Sequence, residues 1–217
     1  PYRLLHLLAH MKTSESFAVL KRLIPNLPKA GNAIVLQKPL LDSAELTTTL
    51  FPELLQKAND PLFGTVVAVV ANQLAEDSLL TKKDLKAHKQ EILQGAHNEW
   101  KLLQEGTYEP WEVVRWAHLL GGLNDPEGTT LLRTMLLHKD ASLKKSVILA
   151  LLRNSHTVPP TEIVKVAADK STRLSFYEAL QGIGKTTLFP ALYASQKSLA
   201  ESELYNLFSE DYEDFTL

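Results

Sequence analysis

There is no cysteine among the 217 residues, so the fold is held without disulfides and offers no thiolate to a metal or a substrate. That absence suits a reducing compartment and equally a secreted or envelope protein that uses no cross-links, so localisation stays open. Neither sign of charge is in excess. With 23 Lys plus Arg against 25 Asp plus Glu, the formal net charge of −2 supplies no global field to draw in nucleic acid or anionic membrane. Long hydrophobic runs are also missing. A run such as Val66 to Ala71 falls well short of the roughly 20 residues that span a bilayer, so no transmembrane helix is expected. Reactive strings are scarce as well: there is no Gly-x-Ser-x-Gly and no His-Glu-x-x-His, and the carboxylates are spread over helix faces and caps. No catalytic residue, metal ligand or cofactor site is assigned, and the segment reads as non-enzymatic.

What the sequence does hold is 45% hydrophobic residues, enough for a core, set in helical periodicity nearly throughout. From Leu143 the residues Val147, Ile148, Leu151 and Leu152 recur at steps of three and four, while Lys144, Lys145 and Arg153 fall elsewhere on the wheel, which predicts one buried face. Asp60-Pro61 and Asp125-Pro126 each place a carboxylate at N-cap and proline at the first helical position, where its missing N–H costs nothing. Asp42 with Glu45 and Ser198 with Glu201 have capping-box spacing. Helices are expected near 2–10, 14–24, 43–57, 61–75, 82–104, 110–121, 126–138, 141–153, 160–168, 172–182, 187–196 and 199–209. Thr65 to Val70 is β-branched enough for a strand, but the Asp-Pro cap before it favours a core helix. Asn32 to Gln37 reads as an extended connection. The expected organisation is a helix pair and connection over 1–40, then a stacked helical region over 41–217, or one continuous unit.

Helix pairs starting near Pro110, Asp140 and Ser171 lie about thirty residues apart, a solenoid-like rhythm. Self-similarity is visible too. His6-Leu7-Leu8, Met11, Glu15 and Leu20 align with His118-Leu119-Leu120, Leu123, Glu127 and Leu132 at constant offset, and Thr48-Thr49-Leu50-Phe51-Pro52 recurs as Thr186-Thr187-Leu188-Phe189-Pro190. In architecture the chain resembles the HEAT and armadillo class of helical repeats, which implies an all-α stack of antiparallel pairs. A second resemblance rests on Leu8-Ala9-His10-Met11-Lys12-Thr13-Ser14-Glu15-Ser16, followed by Asp42-Ser43-Ala44-Glu45-Leu46 and Leu50-Phe51-Pro52-Glu53-Leu54-Leu55. These strings look like the helical extension of large bacterial TraB/GumN-type proteins. That resemblance implies an accessory domain of an envelope metallohydrolase whose Gly-x-x-His elements would lie elsewhere, since none occurs here.

Four features are candidate sites. Gly182-Ile183-Gly184-Lys185-Thr186 ends like a P-loop, but Ala179 stands where the loop needs its first glycine, so an interhelical turn is expected. His6 and His10, four apart, supply half of a zinc shell with no second half nearby. Lys82, Lys86 and Lys89 share a helical stripe, interrupted by Asp84 and Glu91. Of the three tryptophans, Trp100 and Trp116 fit core stripes, which leaves Trp111 with Tyr108 as the exposed aromatic pair. Lys82, Lys86, Lys89, Tyr108 and Trp111 are the candidate partner-binding residues. The functional expectation is a soluble helical scaffold, part of a larger protein that opens upstream of Pro1. It would bind a protein, a peptide or other domains of the same chain. A HEAT-like nucleic-acid binder is the remaining alternative, disfavoured by the charge balance.

Overall fold

In the computed structural model, the described residues are 2–26, 40, 42–57, 64, 66–68, 70 and 82–211, and every regular element among them is helical. The Asp60-Pro61 cap and the Asn32 to Gln37 connection lie outside the described residues. The chain divides into two compact units, Pro1–Gly128 and Thr129–Leu217.

The first unit opens with α1 (Tyr2–Met11) and α2 (Ser14–Leu23). Their tight turn puts Lys12 at φ 51°. Thr13 caps α2 reciprocally with Ser16: the Ser16 N–H donates to Thr13 Oγ1 at 3.1 Å, and the Thr13 N–H donates to Ser16 Oγ at 3.2 Å. Two orphan donors of the first turn are thereby satisfied. Helix α3 (Ala44–Leu55) runs through Pro52 and begins two residues beyond Asp42. Leu5, Phe17, Leu20, Leu50 and Leu54 are buried in this part of the unit. Where described, residues 64, 66–68 and 70 are helical, with Val66, Val67, Ala68 and Val70 buried.

The stretch expected as one helix over 82–104 is broken at His88, giving α4 (Lys82–Ala87) and α5 (Lys89–Gln104). The imidazole of His88 stands edge-on to Phe51, with ring centroids 6.1 Å apart, so a tertiary contact accompanies the break. Helix α6 (Pro110–Leu123) packs closely on α5. The Glu109 N–H donates to Glu112 Oε2 at 2.8 Å, Pro110 takes the first helical position, and Asn124 ends the helix in the left-handed region at φ 49°. The crossing depends on Gly95, because a Cβ there would lie 2.3 Å from Cη2 of the fully buried Trp116. Helix α7 (Pro126–Met135) starts as its Asp-Pro signal predicts. Asp125 Oδ1 accepts the Glu127 N–H at 3.0 Å, and Asp125 Oδ2 lies 2.6 Å from Lys89 Nζ.

The second unit is built on α8 (Ala141–Arg153), α9 (Pro160–Ala168), α10 (Arg173–Gly182) and α11 (Gln196–Asp211). Consecutive helices pack on one another through this run. Asp140 caps α8 by accepting the Leu143 N–H at 2.7 Å. The single buried face expected of α8 proved too narrow. Leu149 and Ala150 are buried along with Val147, Ile148, Leu151 and Leu152, and so is Lys144. Its ammonium donates to the Leu136 carbonyl at 2.6 Å and to Glu162 Oε2, while Lys165 Nζ lies 2.6 Å from Glu162 Oε1. A buried cation persists when a carboxylate and a carbonyl replace its water. Burial alone would raise the Glu162 carboxyl, but the two lysines outweigh it and hold the acid below its usual range.

The α-helix expected over 187–196 does not form, and Gln196 opens α11. Two 3₁₀ turns, Thr186–Leu188 and Ala191–Tyr193, stand there instead. Pro190 between them has no N–H for an α-helical bond, and Phe189 turns inward against Phe176 and Tyr177, at centroid distances of 5.9 and 5.1 Å. The recurring Thr-Thr-Leu-Phe-Pro string is therefore α-helical at 48–52 but not at 186–190. Helix α11 begins three residues earlier than expected. Ser195, not Ser198, accepts at its N-terminus, taking the Ser198 N–H at 3.2 Å.

Candidate functional site

Two places in the second unit combine accessible surface with ordered polar groups. The first is a cleft of about 440 Å³ between the turn leaving α8 and the turn leaving α10. Both turns are Schellman-type caps. After α8, the Ser155 N–H donates to the Leu152 carbonyl at 3.1 Å and the His156 N–H to the Leu151 carbonyl at 3.0 Å, with Ser155 at φ 61°. After α10, the Gly184 N–H donates to the Gln181 carbonyl at 3.0 Å and the Lys185 N–H to the Leu180 carbonyl at 2.8 Å, with Gly184 at φ 68°. These paired bonds satisfy carbonyls that a helix end leaves open. Glycine 184 thus serves the left-handed cap position, and the string that ends like a P-loop terminates a helix. Leu152, Val158, Pro160, Ile163 and Leu188 form the apolar walls of the cleft, and Ser155, His156, Thr157, Lys185 and Thr187 are its polar lining residues. His156 Nε2 sits 3.4 Å from Thr129 Oγ1.

The second place is the outward side of α11. Ser202, fully buried, faces the body of the unit: its Oγ accepts the Leu174 N–H at 3.1 Å and donates to the Lys170 carbonyl at 2.5 Å. Arg173 anchors the same helix. Its Nη1 donates to the carbonyl and Oγ of Ser198 at 3.1 and 3.0 Å, while Nε and Nη2 donate to the Ala167 and Ala168 carbonyls at the end of α9, both at 2.9 Å. The guanidinium also lies 5.1 Å from the ring centroid of Tyr193, within cation–π range. Facing away are Leu204, Tyr205, Leu207 and Phe208, exposed by 53, 47, 56 and 66%. Helix α11 has no single apolar side: Glu201, Glu203 and Ser209 are exposed as well as the apolar residues, whereas a surface helix ordinarily buries its apolar side.

The residues expected to meet a partner fall on α4, the start of α5, the turn before α6 and the start of α6. Lys86 is exposed on α4, whereas Lys89 begins α5 and is paired with Asp125, so the helix break divides the stripe. The Lys82 side chain lies outside the described residues. Trp111 is 56% exposed at the start of α6 and Tyr108 is half-buried, while Trp100 and Trp116 are core residues. His6 and His10 are exposed, with their Nε2 atoms 3.1 Å apart. Among the described residues, no three of His, Cys, Asp and Glu are grouped to hold a metal ion.

Glu99, like Ser202 and Arg173, is a buried polar residue that the sequence reading did not single out. Glu99 on α5 is 1% exposed, and its Oε2 has no hydrogen-bond partner. Burial first, and the Glu112 charge second, push its carboxyl up to about 8, so it is largely protonated at neutral pH. Its only sequence-level signal was its place one residue before Trp100 on a core stripe. Comparison of the chain with protein-family models, curated proteins and solved structures finds no match.

Proposed function

We propose that this chain is a non-catalytic helical interaction module, and that the outward face of α11 docks a basic amphipathic helix of a partner protein. The exposure of four large apolar side chains on α11 carries the reading. Ser202 and the Arg173 contacts fix one side of the helix to its own unit, and Leu204, Leu207 and Phe208 are left facing outward. Contiguous exposed apolar surface on an ordered element marks a contact site. Charge selects the partner: the described acidic side chains of α11 are Glu203, exposed, and Glu201, 3.9 Å from Arg173, against Lys197, which favours lysine and arginine flanking the incoming apolar residues. Trp111, exposed at the start of α6 in the first unit, is a separate aromatic contact candidate of the kind enriched at interfaces.

We further propose that the helices stack as HEAT-like pairs. Sequence-adjacent packing supports this: α1 on α2 and α5 on α6 in the first unit, and α8 through α11 in the second. A scaffold of this kind exposes helix faces without needing a reactive centre.

Photo-crosslinking from position 207 in the cells that make the protein tests the docking. The expected adduct joins α11 to a basic amphipathic segment of one partner. The Leu204→Glu and Phe208→Glu double variant should weaken the purified pair by at least about thirtyfold, the scale of losing one hot spot. Adducts confined to a second copy of the chain, or an affinity indifferent to the double variant, would overturn the reading.

A further inference from the structure

We propose that the cleft between the α8 and α10 caps binds a small apolar monocarboxylic acid, its tail against the leucine, valine and isoleucine walls and its carboxylate at Lys185. Three observations converge. The volume of about 440 Å³ lies within the roughly 300–1,000 Å³ of small-molecule sites. Leu152, Val158, Pro160, Ile163 and Leu188 supply the larger, apolar share of the lining surface, and Ser155, His156, Thr157, Lys185 and Thr187 supply the polar share, a two-sided composition that orients an amphipathic ligand.

The charge is one-sided. No carboxylate lines the cleft, its ionisable side chains are His156 and Lys185, and among the described residues no acid pairs with the Lys185 ammonium. An unpaired ammonium at the edge of an apolar cleft is complementary to one negative charge joined to a hydrocarbon group. Thr187 and His156 add hydrogen-bonding capacity for the second carboxylate oxygen.

Order in the walls strengthens the case. Ser155–His156 and Gly184–Lys185 are each held by two backbone hydrogen bonds of a helix cap, so the backbone carrying both ionisable groups is set before a ligand arrives, which lowers the entropy lost on binding. The cap geometry also separates this site from a nucleotide site. A P-loop wraps phosphates with successive glycine N–H groups, whereas here the Gly184 and Lys185 N–H groups are already donated to helix carbonyls.

The probes are hexanoate, 1-hexanol, inorganic phosphate, ATP with magnesium, and a tetrapeptide ending in leucine, each titrated into the full chain and followed by amide NMR. Hexanoate should bind saturably and shift the amides of Ser155 to Val158 and Gly184 to Leu188. Hexanol, with the same tail and no charge, should bind at least about tenfold more weakly, the scale of one charge-assisted hydrogen bond. Lys185→Met should bring hexanoate down to the level of hexanol. Because Lys185 is exposed and its cap bonds are main-chain, the variant should keep an otherwise unchanged spectrum. Equal binding of hexanol and hexanoate, tighter binding of phosphate or ATP, tighter binding of the peptide, or hexanoate binding unaffected by Lys185→Met would each overturn the proposal.

Discussion

Glycine and glutamate at two positions of α5 set how the first unit is held. At Gly95 the indole of Trp116 occupies the space of a side chain, and neither the buried ring nor the helix backbone can give way cheaply. Gly95→Ala is expected to lower stability by about 2 kcal/mol, the usual scale of overpacking. Gly182→Ala, at the end of α10 with nothing within 4 Å of the added methyl, should instead raise it by about 0.5 kcal/mol through the unfolded chain. Urea unfolding of the two variants side by side separates a packing glycine from a merely permissive one.

Glu99 makes stability depend on pH in a direction opposite to that of paired carboxylates. Its folded pKa, about 8, exceeds the reference value of 4.5, so the folded state retains a proton that the unfolded chain loses. The penalty is absent below about pH 4.5, grows as pH rises, and is complete once pH passes about 8. Glu99→Gln removes a charge that must be neutralised on folding. Stability at pH 8 should therefore rise, by up to about 3 kcal/mol, and the decline between pH 5 and pH 8 should flatten. Unfolding midpoints measured across that range check it; an unchanged slope would mean that Glu99 is solvated in the folded protein.

At the scale of elements, one arginine organises the end of the second unit. Arg173 ties the last carbonyls of α9 to the first turn of α11 while its own backbone opens α10. Arg173→Met keeps the apolar stem but removes these donors, leaving helix-end carbonyls unpaired. Amides of Gln196 to Asp211 should then exchange with solvent at least about tenfold faster, as expected for local detachment, while those of α8 keep their protection. Equal acceleration in both helices would show that Arg173 supports the whole unit rather than α11.

The caps make plain which element boundaries are legible from local sequence. Asp125 and Asp140 begin their helices because the donor and acceptor lie within three residues, a range at which residue type alone decides geometry. Ser198 has the same chemistry and the same spacing to Glu201, yet it lies inside α11 with its carbonyl and hydroxyl given to Arg173. Its role was settled by a residue 25 positions away. The break at His88 and the two 3₁₀ turns around Pro190 belong with it, since both accompany aromatic contacts made across the fold.

For the molecule as a whole, the division into Pro1–Gly128 and Thr129–Leu217 predicts two cooperative blocks of hydrogen exchange. Lys144→Ala tests this. Removing that ammonium opens a buried ion pair with Glu162, at a cost of about 3 kcal/mol, and the loss of protection should concentrate in α8 to α10 while α5 and α6 keep theirs. Uniform loss over both blocks would make the chain a single folding unit.

By itself the sequence determined that the described chain is helical, where most helices start, and that Trp100 and Trp116 belong inside. Those outcomes rest on apolar periodicity and on hydrogen bonds spanning a few residues, both written in residue order. Tertiary structure alone decided that Lys144 and Glu99 are buried, that Leu204, Tyr205, Leu207 and Phe208 of α11 are left exposed, and that Lys185 borders a cleft with leucine, valine and isoleucine walls. Desolvation depends on which distant segments surround a side chain, and that information becomes local only after the chain has packed.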